Sequence, residues 1–123
     1  MTDQTHTLDV PPGLPLPLVR DFLGGIDSHL PSSTREGLAL VTTEVVSNAM
    51  RHGGQPIRLE IVPLAGTVRV VVRSQGGEFG WNGRPRMAGQ VGGWGLVIVN
   101  RLADRWGIRR VDDSNEVWLE IDH

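Results

Sequence analysis

Glu44 and Asn48 stand one helical turn apart in the stretch Glu44-Val45-Val46-Ser47-Asn48-Ala49-Met50-Arg51-His52-Gly53-Gly54. On a helix, side chains at i and i+4 meet on one face. A carboxylate beside a carboxamide oxygen suits a phosphate-bound Mg²⁺, which takes oxygen ligands and keeps several waters. The other reading is an Asn bonded to a neighbouring loop, and the pair alone does not decide between them. A nucleotide site also needs a phosphate cradle. Gly92-Gly93-Trp94-Gly95 precedes an apolar run and is the candidate. Glycines let backbone approach a ligand, and the first turn of a helix offers unpaired N–H groups and a partial positive charge. Glycine-rich turns also arise from packing alone, so this signal too needs company. Gly76-Gly77 provides a second glycine turn.

These residues need elements to hold them. Pro31-Ser32-Ser33-Thr34-Arg35-Glu36 carries the S-x-x-E spacing of a capping box, with Ser33 as N-cap. From residue 38 onward, a rotation of about 100° per residue puts Leu38, Val41, Val45, Val46 and Ala49 on a core-facing arc. Glu44, Ser47, Asn48 and Arg51 fall on another arc, and Asn48 sits where the two meet. Asn is a poor helix-interior residue, and a buried amide without partners costs about 1–3 kcal/mol. Upstream, residues 5–10 alternate weakly as an edge strand, and residues 14–30 have helical spacing from Leu18, weakened at Gly24-Gly25. Residues 57–62 and 67–73 alternate with period two around a turn at 64–66, as a β-hairpin. Residues 78–90 have no period, which suits a functional lid or a solvated loop, with Arg84 and Arg86 placed to meet an anion. A third helix over 96–105 ends at Gly107. A second hairpin follows, 108–111 and 116–121, around the turn Asp112-Asp113-Ser114-Asn115. The order β-α-α-β-β-lid-α-β-β predicts one α+β domain over residues 1–123, a two-layer sandwich with a mixed β-sheet covered on one face by three helices.

Composition narrows the chemistry. All of the 12 basic residues are Arg. Without Lys there is no P-loop lysine, no protein-kinase strand lysine and no Schiff base. With Cys at 0, disulfides, thiolate zinc sites and cysteine nucleophiles are excluded. A net charge of −2 gives no argument for direct nucleic-acid binding or for an anionic membrane. The sequence has no apolar run of bilayer length, so a cytoplasmic location is expected.

The order Glu44-x-x-x-Asn48-Ala49-x-x-His52-Gly53, then Ser74-x-Gly76-Gly77, then Gly93-x-Gly95-Leu96 resembles the N box and the two glycine boxes of the GHKL (Bergerat-fold) ATPases. The strongest resemblance is to their small single-domain branch, the anti-sigma-factor serine kinases of Gram-positive bacteria, abundant in actinobacteria. It extends over nearly the whole chain, through residues 95–107 and Val117-Trp118-Leu119-Glu120-Ile121. The resemblance implies an ATP and Mg²⁺ site. Asn48 would hold the metal, Glu44 would be the catalytic base, and Gly93, Gly95 and Leu96 would line the phosphates. His52, Ser74, Gly76 and Gly77 would complete the nucleotide site, and residues 78–90 would form its lid. It further implies a STAS-type anti-sigma antagonist as phosphoacceptor, a sigma factor as partner, and a homodimer. One position departs from the family: an Asp that receives the adenine amino group is Ser74 here. A hydrogen bond to a charged partner contributes about 1.5–3 kcal/mol, so the exchange lowers ATP affinity by about one to two orders of magnitude. Two readings therefore compete: a protein serine/threonine kinase, and a degenerate Bergerat-fold interaction module with weak or no ATP binding.

Overall fold

The computed structural model describes residues 4–26, 30–52, 54–75 and 93–123, with side chains of the last stretch from residue 97. The elements are β1 (His6–Val10), α1 (Pro17–Gly24), α2 (Ser32–His52), β2 (Gly54–Leu64), β3 (Thr67–Gln75), α3 (Gly93–Leu102), β4 (Arg105–Val111) and β5 (Ser114–Asp122). They form one five-stranded sheet in the order β1-β2-β3-β5-β4.

The predicted two-layer α+β sandwich is the observed one, with one difference. Each neighbouring pair of strands is antiparallel, so the sheet is not mixed. The crossover through α3 does set β3 and β4 parallel. The hairpin return then inserts β5 between them, and β5 runs against both.

Local chemistry explains smaller differences. α1 is shorter than the apolar spacing suggests, because Gly24-Gly25 ends it, with the Gly25 N–H bonded to the Phe22 carbonyl at 3.2 Å. α2 starts at Ser32, and the Arg35 N–H bonds the Pro31 carbonyl at 2.9 Å. Ser33 therefore lies inside the first turn and does not cap it. α3 begins at Gly93 and ends at Leu102, so its glycines belong to the helix. Gly107 does not terminate α3 but lies in the middle of β4, opposite Trp118. A Cβ there would fall 2.7 Å from the Trp118 indole nitrogen, so the strand passes the ring only as glycine. The loop 78–90, Gly53, Gly76 and Gly77 lie outside the described residues.

Strand register sorts side chains into rows, because alternate residues point to opposite faces. Three rows toward the helices are almost wholly apolar. They are Leu8, Leu59, Val72, Val117 and Ile108; His6, Ile61, Val70, Leu119 and Trp106; and Val68 with Ile121. The fourth row, at the sheet end where α2 passes into β2, reads Val10, Ile57, Ser74, Asn115 and Arg110. From α2, Leu38, Val41, Val45, Val46 and Ala49 are buried against the sheet, the arc expected from helical spacing.

The opposite face of the sheet carries charges in register. Arg69 donates to Glu120 at 2.8 and 2.6 Å, and Arg105 donates to Glu120 at 2.7 Å and to Asp122 at 3.1 Å. Arg73 joins Glu60 and Glu116, and Arg109 also meets Glu116. Hydrogen bonds from Arg105 and then Arg69 hold the Glu120 carboxyl below its usual range. A carboxylate depressed in the folded state stabilises fully above its unfolded pKa of about 4.3 and loses that contribution as pH falls through the lower folded value. Glu120→Gln is therefore expected to lower the denaturation midpoint at neutral pH, with the difference from the parent fading below about pH 4. Urea titrations at pH 7 and pH 3 check this, and an equal difference at both would exclude the charge as its cause.

Candidate functional site

α2 positions the central pair. Its amphipathic pattern fixes which side meets the sheet, and that places residue 48 at the margin of the core near the helix end. Asn48 is only 2% exposed, while Glu44, one turn earlier, is half-buried. The Asn48 oxygen Oδ1 accepts a hydrogen bond from Arg51 Nη2 at 2.9 Å, and the amide nitrogen Nδ2 is buried without a partner among the described residues. Burying an unbonded amide donor costs about 1–3 kcal/mol. Arg51 supplies a cationic donor to the oxygen that the sequence reading reserves for a metal, and its exposed side chain is free to move away. His52 closes α2, half-buried, immediately before the chain enters β2.

Ser74 lies near the end of β3 and is 2% exposed. It shares a sheet end with the α2 C-terminus, because Gly54, at the start of β2, pairs with Gln75. Asn48 and Ser74, 26 positions apart in the sequence, thus occupy the same end of one core. Beside Ser74 on β5 stands Asn115, 5% exposed, whose Oδ1 accepts from Arg110 Nη1 at 2.9 Å. Gln75 Nε2 donates to Ser114 Oγ at 2.8 Å and ties the same strand ends together.

Asn115 and Arg110 are polar neighbours of Ser74 at this sheet end that sequence reasoning did not place there. It assigned Asn115 to a four-residue turn. The loop is only Asp112-Asp113, with Asp112 at φ 55°, so β5 already begins at Ser114. A two-residue hairpin loop with an acidic residue at positive φ was a usable signal, since loop length sets register.

Gly93, Gly95 and Leu96 form the first turn of α3, the location expected for a phosphate cradle. The other end of this helix is anchored away from the site. The Asp104 N–H bonds the Glu120 carbonyl at 2.8 Å, and the Asp122 N–H bonds Asp104 Oδ2 at 2.7 Å. The glycines thus sit at the helix end remote from that anchor, and α3 packs on α2. Among the described residues no three His, Asp or Glu side chains converge; a phosphate-bound Mg²⁺ takes oxygen ligands and keeps several waters. The donor set fits a phosphate-bound Mg²⁺ in that limited sense. A surface cavity of about 320 Å³ lies near the opposite end of α2, lined by Arg20, Leu23, Ile26, Leu30, Arg35 and Leu38 among others, and includes none of these residues. None of the described helices is long and apolar enough to cross a membrane.

Comparison with known proteins places this arrangement. A histidine kinase domain from the Erythrobacter litoralis EL346 blue-light activated histidine kinase superposes with a TM-score of 0.58 at 18% sequence identity, over 85% of this chain and 60% of that one. At that identity the likeness is one of fold, and this chain spans less than two thirds of the matched structure. No curated protein matches the chain. The family described as the histidine kinase-like ATPase domain matches residues 15–121, from just before α1 to the end of the β5 core. With its helix pair, its antiparallel sheet and that match over most of its length, the chain belongs to the histidine kinase-like ATPase domain family.

Proposed function

We propose that the protein binds Mg·ATP and transfers the γ-phosphate to a serine or threonine hydroxyl of a STAS-type anti-sigma antagonist, acting as a cytoplasmic anti-sigma-factor kinase. The observation that carries this reading is Asn48: a buried carboxamide with an unbonded donor, one turn beyond a half-buried carboxylate. In this reading the serine oxygen attacks the γ-phosphorus and the bond to the β,γ-bridging oxygen breaks. ADP leaves, and the serine proton passes to the Glu44 carboxylate. Mg²⁺ held at Asn48 would neutralise charge on the phosphates. The protein's own share is positioning: Glu44 and Asn48 are fixed on one long helix whose buried face cannot rotate without exposing the core. A sigma factor and a second copy of the chain are the further partners in this proposal.

A second reading is favoured by Ser74 and by the Arg51–Asn48 bond, a site closed on itself. It is a protein-contact module on the same scaffold, with little or no nucleotide binding. Calorimetric titration of ATP and ADP, with and without Mg²⁺, separates the two. Binding that requires Mg²⁺ supports the kinase. No heat at millimolar nucleotide would sink the kinase reading and leave the contact module.

A further inference from the structure

We propose that the cavity between α1 and the first turns of α2 binds a linear monocarboxylic acid of about eight to ten carbons. The acyl chain lies along the apolar wall and the carboxylate meets Arg20 and Arg35. This site is independent of the nucleotide reading, which concerns the other end of α2. The cavity measures about 320 Å³, at the low end of the range for small-molecule sites. One water takes about 30 Å³ in the liquid, so the space holds about ten heavy atoms. Its wall comes from both helices and the stretch between them. Leu23 lies in the last turn of α1, Leu30 just before α2, and Leu38 and Ala39 on α2; all four line the cavity and are buried. Such a wall gives a polar solute nothing to bond, whereas covering it with a hydrocarbon chain removes apolar surface from water.

The polar groups of the lining set the charge of the occupant. Arg58, Arg69, Arg73, Arg105 and Arg109 each pair with a carboxylate across the sheet. Arg20 has no such pair among the described residues, and Arg35 reaches only the Ser32 hydroxyl, at 3.5 Å. Both line the cavity with exposed side chains. A guanidinium presents a planar fork of donors that matches a carboxylate. Two of them beside an apolar wall are complementary to an anion with an apolar tail. Glu36 also lines the cavity, so the lining carries a single net positive charge. A monocarboxylate neutralises that charge, whereas a doubly charged phosphate head would bring excess negative charge to Glu36. Size decides against a docked helix, which needs apolar anchors over several turns. Ten heavy atoms amount to one or two side chains.

The test is NMR titration of the full chain with octanoate, decanoate, dodecanoate and uncharged octanol, each below the concentration at which it self-associates, and with vesicles of anionic phospholipid. Amide shifts are expected in α1 and the first turns of α2. Affinity should rise about twofold to fourfold per methylene from octanoate to decanoate, then level off at dodecanoate, whose extra carbons stay in water. Octanol should bind more weakly than octanoate. Arg20→Gln and Arg35→Gln should each weaken decanoate by about twofold to fivefold, the value of an exposed ion pair, and leave octanol unchanged. Gly24 is helical and lines the cavity, and a Cβ there meets nothing within 4 Å. Gly24→Leu therefore fills space without strain, and should weaken decanoate by about tenfold or more while the thermal melt holds or rises. Octanol binding as tightly as octanoate overturns the proposal, as do two arginine variants that bind decanoate like the parent. Unchanged binding by Gly24→Leu places the acid elsewhere and also overturns it. Affinity that keeps climbing through dodecanoate, together with vesicle binding, replaces the cavity with adsorption to a lipid surface. No shift with any of the acids at millimolar concentration removes the site.

Discussion

Asn48→Ala is expected to reduce Mg²⁺-dependent ATP affinity by about 10- to 150-fold while leaving the unliganded protein at least as stable as before. The two halves of this expectation come from the same atoms. The carboxamide oxygen would be lost as a metal ligand, and a charge-assisted contact of that kind contributes about 1.5–3 kcal/mol. The amide nitrogen, buried without a partner among the described residues, costs the fold about 1–3 kcal/mol, and alanine removes that cost. Against this stand a small void and the loss of the Arg51 bond, whose donor is exposed and regains water. The melting temperature without ligand should therefore hold or rise by a few degrees. Calorimetry with ATP and a thermal melt check both halves. A melt lowered by more than about 5 °C, with nucleotide binding unchanged, would make Asn48 a structural residue.

Glu44→Gln is expected to separate binding from chemistry. The substitution keeps the size and half-buried position of the side chain and removes its capacity to take a proton. Positioned general bases contribute about 10²–10⁴ in rate. Hydrolysis of Mg·ATP, with water standing in for the serine hydroxyl, should fall by about that factor, while ATP affinity stays within about threefold. Single-turnover measurement of ADP formation gives the rate, and calorimetry gives the affinity. Loss of affinity without loss of rate in the bound complex would assign Glu44 to the binding of the ligand and remove it as a base.

The sequence made much of this legible where structure is local. The long α2 could be read from the spacing of Leu38, Val41, Val45, Val46 and Ala49, because a rigid 3.6-residue period leaves little choice once one face must be buried. The hairpin β2–β3 followed from alternation and a short turn. Glu44 and Asn48 needed only helix geometry to be brought together. What could not be read depended on pairing between distant segments. That β5 enters between β3 and β4, and so makes the sheet antiparallel throughout, is decided by the whole core and not by any one stretch. The placement of Asn115 beside Ser74 follows from that insertion. The bond from Arg51 to Asn48 was invisible for a different reason: both residues lay on the arc set aside for a ligand, and helix spacing does not say whether neighbours satisfy each other first. Gly107 was read as a helix stop because glycine signals both an ending and a close approach. Only the indole of Trp118 tells the two apart.

The place of β5 in the sheet has a consequence for how the chain comes to be folded at all. It is the last of the eight elements to be synthesised, yet it lies between β3 and β4 and carries the fully buried Leu119. During translation β1, β2 and β3 can pair as soon as they emerge, but β3 then presents an open edge until residues 114–122 arrive to cover it. Pairing at such long sequence separation is slow, and an exposed strand edge invites pairing with other chains. A nascent chain stalled before residue 114 therefore carries a half-built sheet and the exposed edge of β3, the state in which aggregation competes with folding and chaperone protection matters most.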